Sequence, residues 1–287
     1  MKLRKSLNNG IKNLIGLLPP KTAIKIRYFI EFKKLPNLSH PKTLNEKINV
    51  YKIDKNFDFS KYVDKVTVKD YVAEKIGNQY NIPTLFAGKN LPPLEQRNWE
   101  LPYIIKMNNC SGRHIFVRNE KERNWKSIDA KIAKWQKKSF GNDSGEIHYQ
   151  KIPTQVLVEK YISQADGFSP TDYKIYTING KAEFFDIIAS RENDRKEFTY
   201  DLNWKKLPFS IGKPNKSTED IAKPKGISTM IQFAEILAAD FPLVRVDFYE
   251  IDGQIFFGEM TFTPAAGLEK FYPPEYDEFY GEKLKLY

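Results

Sequence analysis

The 287-residue sequence has a single cysteine, Cys110, and only three histidines, His40, His114 and His148. One thiol cannot form an internal disulfide or a cysteine-based metal cluster, and the histidines are too scattered to form a metal-ligand motif. These shortages exclude disulfide scaffolds and zinc sites from the classes of protein to consider.

Long apolar runs are also missing. No run approaches the roughly 18 to 20 residues that a membrane-spanning helix needs, and Pro19-Pro20 interrupts the apolar patch near the amino terminus. The sequence therefore predicts no transmembrane helix and no signal peptide, and we expect a cytoplasmic protein. With 41% hydrophobic and 14% aromatic residues, the chain can bury the core of one large or two modest domains.

The net charge of +10 is concentrated in residues 1–35, where nine lysines and arginines face Glu31 alone and leave a local charge of +8. Leucines and isoleucines recur among these cations at helical spacing, which predicts a basic amphipathic helix. Such a helix can lie on an anionic membrane, pack on its own domain or hold an anionic polymer. We expect no nucleic-acid partner, because the body of the chain has no zinc-finger, RRM-like or basic-zipper pattern.

Two helices can be predicted in the first third of the chain. Thr43 and Glu46 have the spacing of a capping box, which predicts a helix start. A second helix is predicted from about Tyr62 to Ile76, with Gly77 as its stop. We expect the polar face of this second helix to be solvated, and its polar residues are Asp64, Lys65, Lys69 and Asp70.

The middle of the chain is predicted to contain strands and loops. Residues 103–117 read as a strand, a polar loop and a strand, and Lys106 stands where an ammonium and loop amides can meet an anion. Residues 155–162 form an apolar strand that suits the edge of a nucleobase, although a plain core strand is the commoner use of such a pattern. Asn179-Gly180 predicts a hairpin, and helices are predicted over residues 128–139 and 227–240.

The stretch from Leu243 to Pro264 predicts a second hairpin, with Asp252-Gly253 at its bend. The period of two places Arg245 and Asp247 on one face, and Glu259 and Thr261 on one face of the returning strand. A hairpin can therefore gather Asp247, Glu259 and Thr261 beside an arginine. Two carboxylates and a hydroxyl suit Mg²⁺, although an isolated hairpin of this type can equally turn its charges to water.

The order of these motifs resembles that of the ATP-grasp enzymes, and more narrowly the TupA-like branch, which is named for teichuronopeptide biosynthesis. The resemblance extends from about residue 35 to 270. The segments that carry it are Pro41 to Lys47, Val63-Asp64-Lys65, Asp172-Tyr173-Lys174, Tyr200 to Trp204, Leu207-Pro208-Phe209, Phe241 to Asp247, and Gly258-Glu259 with Thr261 and Pro264.

The resemblance implies an α+β ATP-grasp fold, in which two α+β subdomains with antiparallel sheets grip the nucleotide behind a helical N-terminal region. The implied divisions are a basic helical extension at 1–40 and a helical, α/β region at 41–102. A small subdomain with the phosphate loop and hinge would follow at 103–163, and a C-terminal subdomain with the metal site at 164–287.

The resemblance also implies ATP and Mg²⁺ as cofactors and assigns roles to individual residues. The implied phosphate contacts are Lys106 and Lys174, with Ser111 and Gly112 in the loop above them. The implied adenine hinge is Glu159, Lys160, Tyr161 and Ile162, and the ribose would be held by Asp166 or Asp172. The implied metal ligands are Asp247, Glu259 and Thr261, where the third position is usually asparagine in the wider superfamily. The implied contacts to the acyl phosphate or substrate carboxylate are Arg191, Arg195, Arg245 and Lys42.

The function implied by the resemblance is an ATP-dependent carboxylate–amine ligase. It would join an amino acid or amine to a uronic acid of a bacterial capsule, O-antigen or teichuronopeptide-type polymer, through an acyl phosphate. The basic N-terminus would hold the acidic glycan or a lipid-linked precursor at the inner face of the cytoplasmic membrane. The alternatives are a kinase of a sugar or protein, a glycosyltransferase and a non-catalytic glycan-binding module. A glycosyltransferase is disfavoured because the sequence has no Asp-x-Asp motif.

Overall fold

Two antiparallel sheets form the centre of the structure, a computed structural model that describes residues 10–164, 167–189, 195–215 and 219–286. The larger sheet has five strands in the spatial order β10-β9-β5-β6-β7. Its strands are β5 (Asp172–Ile178), β6 (Lys181–Ala189), β7 (Lys196–Tyr200), β9 (Leu243–Ile251) and β10 (Gln254–Thr261).

Both predicted hairpins are confirmed within the larger sheet. Asn179-Gly180 connects β5 to β6, and Asp252-Gly253 connects β9 to β10. All four turn residues have positive φ, between 51° and 84°. Turns of this kind match the twist of antiparallel strands and favour Asn-Gly and Asp-Gly pairs, which explains why the two turns could be read from the sequence.

The smaller sheet has four strands in the order β1-β4-β2-β3. These strands are β1 (Thr84–Gly88), β2 (Tyr103–Met107), β3 (His114–Val117) and β4 (Val156–Lys160). Because β1 pairs with β4, the residue-102 division predicted from the sequence does not coincide with an edge of this sheet. Ile128 and Ile132 of the helix that follows β3 belong to its hydrophobic core.

Seven helices are described in full, and residues 10–15 are helical as well. They are α1 (Pro20–Phe32), α2 (Leu44–Tyr51), α3 (Ser60–Val63), α4 (Val68–Lys75), α5 (Trp125–Gln136), α6 (Ile227–Ala238) and α7 (Glu275–Lys283). The short strands β8 (Ser210–Ile211) and β11 (Phe271–Tyr272) pair with each other. Buried residues of α2, α3, α4, α6 and α7 share one core with the larger sheet. The capping box at Thr43 and Glu46 is confirmed.

The prediction of one helix from Tyr62 to Ile76 is wrong, because α3 ends at Val63 and α4 begins at Val68. Asp64 adopts an extended conformation, and its Oδ1 accepts a hydrogen bond from the amide of Val66 at 2.9 Å. This side chain competes with the helical hydrogen bonds and produces a turn. Asp64 is also buried, so the polar residues of this segment do not all form a solvated face.

The N-terminal helical region packs on the body but leaves apolar side chains exposed. Arg27 of α1 forms an ion pair with Asp143. In the described parts of the chain, no helix is long and apolar enough to cross a membrane. The large apolar side chains exposed in this region are Ile11, Leu14, Leu17, Leu18, Phe29, Ile30 and Leu35.

Candidate active site

A cleft of about 760 Å³ lies between the two sheets. Its walls are formed by β2, β3 and β4 of the smaller sheet, by the loop after β2 and by all five strands of the larger sheet. Most of the residues predicted to bind nucleotide, metal or substrate line this one cleft. They are Lys106, Ser111, Gly112, Glu159, Lys160, Tyr161, Ile162, Asp172, Lys174, Arg195, Arg245, Asp247, Glu259 and Thr261.

The predicted polar cluster of the β9–β10 hairpin is assembled around one guanidinium. In the strand register, Glu259 faces Asp247 and Thr261 faces Arg245. Arg245 donates to Oδ1 of Asp247 at 2.7 Å, to Oε1 of Glu259 at 3.0 Å and to the Thr261 hydroxyl at 3.1 Å. The side-chain period of two on each strand, together with a register shift between Phe257 and Glu259, brings these side chains together, as the sequence predicted.

Lys174 of β5 contacts the same cluster from the neighbouring strand. It faces Asp247 in the strand register, and its Nζ lies 2.6 Å from Oδ2 of Asp247. Both side chains are buried, with exposed fractions of 9% and 2%. Asp172 is more distant, at 4.0 Å from the Lys174 ammonium. The carboxylate of Asp247 is therefore balanced by two cations within the sheet.

The carboxyl group of Glu259 is ionised at neutral pH. Desolvation in the cleft raises the pKa of Glu259, but the charges of Lys65, Arg245 and Lys174 outweigh this effect and lower the pKa to about 2. Its side chain keeps 40% of its area exposed, so its oxygens are accessible from the cleft.

The donor atoms on the hairpin fit a magnesium ion that is completed by other ligands. Mg²⁺ prefers oxygen donors and usually retains waters and substrate phosphate oxygens beside one or two carboxylates. Asp247, Glu259 and Thr261 supply two carboxylates and one hydroxyl. No group of three or more His, Cys, Asp or Glu side chains in the described residues could hold a metal ion. The coordination of a magnesium ion here would therefore be completed by water and phosphate oxygens.

On the opposite wall, Glu159 of β4 is clamped between two lysines. The Nζ of Lys106 lies 2.7 Å from its carboxylate, and Lys69 of α4 forms an ion pair with the other oxygen. Glu159 is buried. Burial raises the pKa of Glu159, but Lys106 and Lys69 outweigh it and hold the pKa below its usual range. The side chain of this predicted hinge residue thus positions two cations at the cleft.

The loop between β2 and β3 is anchored at one end and open at the other. Asn108 is fully buried, and its amide nitrogen donates to Oδ1 of Asp64 at 2.9 Å. Lys65 donates from its Nζ to the carbonyl of Cys110 at 2.7 Å. The Cys110 thiol is buried, which raises its pKa and leaves it poorly suited to act as a nucleophile. Ser111 and Gly112 at the tip are exposed.

The predicted hinge begins with the last two residues of β4 and lines the cleft. The amide of Lys160 donates to the carbonyl of Pro83, and the amide of Tyr161 donates to the carbonyl of Pro102, both at 3.0 Å. The ring of Tyr161 packs edge-on against Phe116, with centroids 5.3 Å apart. These contacts fix the backbone of the hinge against two neighbouring segments.

Three predicted site residues are not brought to the cleft or are not described. Lys42 is absent from the residues that line the cleft; its carbonyl lies against Gly281 of α7, where an added Cβ would approach it to 2.1 Å. The structure therefore does not support the predicted substrate contact of Lys42. Asp166 and Arg191 lie outside the described residues. Arg195 lines the cleft and donates to Glu197 at 2.9 Å.

Sequence reasoning missed several charged residues of the cleft. Lys65 and Lys69 were expected on a solvated helix face, but both line the cleft, because the helix breaks at Asp64. No local pattern indicates that break. Asp186 was also missed: it faces Lys174 only because the register shifts between Tyr176 and Thr177, and counting back from the Asn179-Gly180 turn pairs Lys174 with Phe185 instead.

Residues 44–285 match a family model described as TupA-like ATPgrasp. Among solved structures, an L-amino acid ligase from Bacillus licheniformis has 14% identity and a TM-score of 0.44, with 87% of this chain and 50% of that chain covered. A D-alanine–D-alanine ligase from Bacillus anthracis has 17% identity and a TM-score of 0.41, with coverages of 70% and 57%. An N5-carboxyaminoimidazole ribonucleotide synthetase in complex with ADP has 14% identity and a TM-score of 0.41, with coverages of 70% and 45%. The chain thus spans about half the length of these structures. No curated protein matches it.

Proposed function

Because the chain belongs to the TupA-like ATPgrasp family and has the ATP-grasp fold predicted from its sequence, we propose that it is an ATP-dependent ligase that joins a carboxylate to an amine. The observation that carries this proposal is the pairing of two walls across one cleft. One wall presents Lys106, and the other presents Lys174 beside the carboxylates of Asp247 and Glu259. Cations and carboxylates arranged in this way suit a nucleoside triphosphate with its metal.

In this proposal, the lysines contact the ATP phosphates and the segment at the end of β4 contacts the base. Lys106 must leave Glu159 to reach a phosphate, and Lys69 stays to balance the buried carboxylate. The amides of Lys160 and Tyr161 already donate to carbonyls. The donor required by the ring edge of adenine then comes from a later amide, and Ile162 is the next one along the chain. Asp172 remains the described candidate for the ribose.

Asp247, Glu259 and Thr261 would hold Mg²⁺. When bound there, the ion would neutralise charge on the phosphoryl group in transit. Arg245 lies among these three side chains, and its guanidinium can turn from them toward an acyl phosphate or a substrate carboxylate, for which a planar fork of donors is suited.

The proposed reaction proceeds in two steps. A carboxylate oxygen of the acid substrate attacks the γ-phosphorus of ATP, the bond to the bridging oxygen breaks, and ADP leaves. The amine then attacks the acyl carbon, and phosphate leaves. We propose a uronic acid of a bacterial surface polysaccharide as the acid and an amino acid or small amine as the nucleophile. The support for this substrate class is the resemblance to the teichuronopeptide-associated branch.

Calorimetric titration of ATP, with and without Mg²⁺, tests the proposal. We expect magnesium-dependent binding that is lost in Glu259→Ala and retained in Glu74→Gln, a matched control at an exposed glutamate of α4. Release of free phosphate only when a uronic acid and an amino acid are both present would support the ligase. ADP with a phosphorylated product would instead indicate a kinase, and a folded protein that binds no ATP would indicate a glycan-binding module.

We also propose that residues 10–35 contact an anionic membrane surface at which a lipid-linked sugar precursor would be presented. This segment exposes apolar side chains, Leu14, Leu17 and Phe29 among them, beside the exposed cations Lys12 and Lys21. Exposed apolar area together with positive charge favours the interface of an anionic bilayer.

A further inference from the structure

Four carboxyl groups that the roles above do not use line the cleft beyond the hairpin cluster. One of them, Glu146, accepts hydrogen bonds from the hydroxyls of Ser144 and Thr263, and the other three form an acidic group. Asp186 lies on β6, Glu197 on the edge strand β7, and Glu269 follows the turn at residues 264–267. Asp186 and Glu197 lie on the cleft face of their sheet, because Asp186 pairs with Thr199 and Glu197 pairs with Ile188 two residues further along each strand. The part of the cleft beside Lys174 is therefore acidic.

One of these carboxyl groups has a buried oxygen with no hydrogen-bond partner among the described residues. Asp186 is only 5% exposed, and its Oδ1 accepts no hydrogen bond from any group in the described part of the chain. Lys174 faces it in the register, but the Lys174 ammonium lies 2.6 Å from Asp247 instead. A buried polar atom without a partner is costly, so a carboxyl oxygen in this position at the wall of an open cleft indicates a ligand that can donate to it.

The three acidic groups also repel one another. Burial, together with the charges of Glu197 and Glu269, raises the pKa of Asp186 to about 7 against the opposing effects of Lys174 and Arg245. Burial and Glu197 likewise raise the pKa of Glu269. A cation that entered this space would relieve the repulsion. An alkylammonium group would supply positive charge together with the hydrogen-bond donor that Oδ1 of Asp186 lacks, so an organic cation is the complementary ligand.

We propose that Asp186, Glu197 and Glu269 form the subsite for the ammonium group of the amine substrate. This inference rests on the proposed function, and it assigns each side of the cleft to a different part of the reaction. Lysines on the β2–β4 side would take the phosphates, the hairpin cluster would hold the centre of phosphoryl transfer, and the acidic side would admit the nucleophile.

Asp186 would also accept the proton that the amine must lose. The substrate arrives as an alkylammonium ion and passes one proton to the Asp186 carboxylate. The freed nitrogen lone pair forms the C–N bond, the bond between the acyl carbon and the phosphate oxygen breaks, and the second proton leaves on hydrogen phosphate. Glu197, which accepts from Arg195 at 2.9 Å, and Glu269 would hold the ammonium group in place.

Direct binding tests this subsite without requiring turnover. The probes are the twenty common amino acids and putrescine, observed by saturation-transfer NMR in the presence of a non-hydrolysable ATP analogue and Mg²⁺. We expect at least one ammonium compound to bind the wild type, and Asp186→Asn to weaken that binding at least tenfold. Glu74→Gln should leave it unchanged.

Binding of the ATP analogue, measured on the same samples by calorimetry, separates the two proposals. Analogue binding with no bound ammonium probe, or with probe affinity that Asp186→Asn does not change, would overturn the subsite and leave the ATP site standing. A wild-type protein that does not bind the ATP analogue would overturn the proposed function itself. Thermal denaturation of each variant should show that Asp186→Asn folds, since it removes a buried carboxyl group and keeps its shape.

Discussion

Lys106 and Glu159 are diagonal neighbours on one face of the smaller sheet, and their charged groups lie 2.7 Å apart at the wall of the cleft. The pair joins the predicted phosphate lysine to the predicted adenine hinge. Lys69 binds the same carboxylate, so Glu159 keeps a cation when Lys106 turns toward another anion. The arrangement holds the Lys106 side chain at the wall of the cleft, close to its proposed ligand.

We expect Lys106→Ala to lower the affinity for ATP by roughly 10- to 100-fold, since a hydrogen bond to a charged group contributes about 1.5 to 3 kcal/mol. Folding should be retained because Lys69 still neutralises Glu159. Calorimetric titration of MgATP measures the effect, and Lys126→Ala, an exposed lysine of α5, serves as the control. Equal affinities in both variants would exclude a phosphate contact for Lys106.

Thr261 provides a narrower test of the metal site. Thr261→Val removes the hydroxyl and keeps the shape, so we expect a higher Mg²⁺ requirement, about tenfold by analogy with other lost metal-site contacts. ATP binding without the metal should stay the same. Titration of Mg²⁺ at fixed ATP reports the change, with Thr22→Val, at an exposed threonine of α1, as the control. An unchanged magnesium requirement would remove Thr261 from the ligand set.

The two hairpins explain how much of the site could be predicted from the sequence. Asn179-Gly180 and Asp252-Gly253 set the register beside each turn by local turn chemistry, but each hairpin also contains a register shift further along. The side-chain period of two places Arg245 with Asp247, and Glu259 with Thr261, on one face of each strand. The shift between Phe257 and Glu259 then puts the two pairs on the same face of the sheet, so the four residues came together as predicted.

The rest of the site depends on tertiary contacts that leave no local pattern. The turn at Asp64 is stabilised by Asn108, which lies in a distant loop and donates to the Asp64 carboxylate. The turn interrupts a helix that periodicity alone favours, and Lys65 and Lys69, which follow it, line the cleft. The acidic subsite was missed for a similar reason. Glu269 joins Asp186 and Glu197 from an irregular segment, and no repeat or turn motif in the sequence predicts the path of that segment.

The pH dependence of stability provides a test of the buried Asp186. Its pKa is about 7 in the folded protein and about 3.9 in an unfolded chain. The folded state therefore holds a proton that the unfolded state has lost, and stability falls as the pH rises from about 4 through 7. Asp186→Asn should abolish this loss, so its free energy of unfolding relative to wild type should rise by up to about 4 kcal/mol between pH 4 and pH 8.

Urea denaturation at several pH values measures this difference. His148 titrates in an overlapping range with the opposite sign, because burial lowers its pKa to about 4, and stability is lost as the pH falls from about 6.5. Both proteins contain His148, so its contribution cancels when the variant is compared with wild type. A difference between the two that stays constant with pH would show that Asp186 is ionised throughout.

The proposed membrane contact depends on leucines that the fold leaves in solvent. Leu14 and Leu17 are 68% and 82% exposed, and burying a leucine in an apolar environment is worth about 1.5 to 3 kcal/mol. We expect Leu14→Ser/Leu17→Ser to reduce binding to phosphatidylglycerol vesicles at least tenfold in a flotation assay. Leu94→Ser, at a 58% exposed leucine outside this region, should bind like wild type.

High salt should weaken wild-type binding, because dissolved ions screen the attraction between the lysines and the anionic lipids. The membrane contact would be excluded if the wild type did not bind these vesicles, or if the double variant bound them as well as the wild type does. Either result would favour an acidic glycan as the partner of the basic N-terminus.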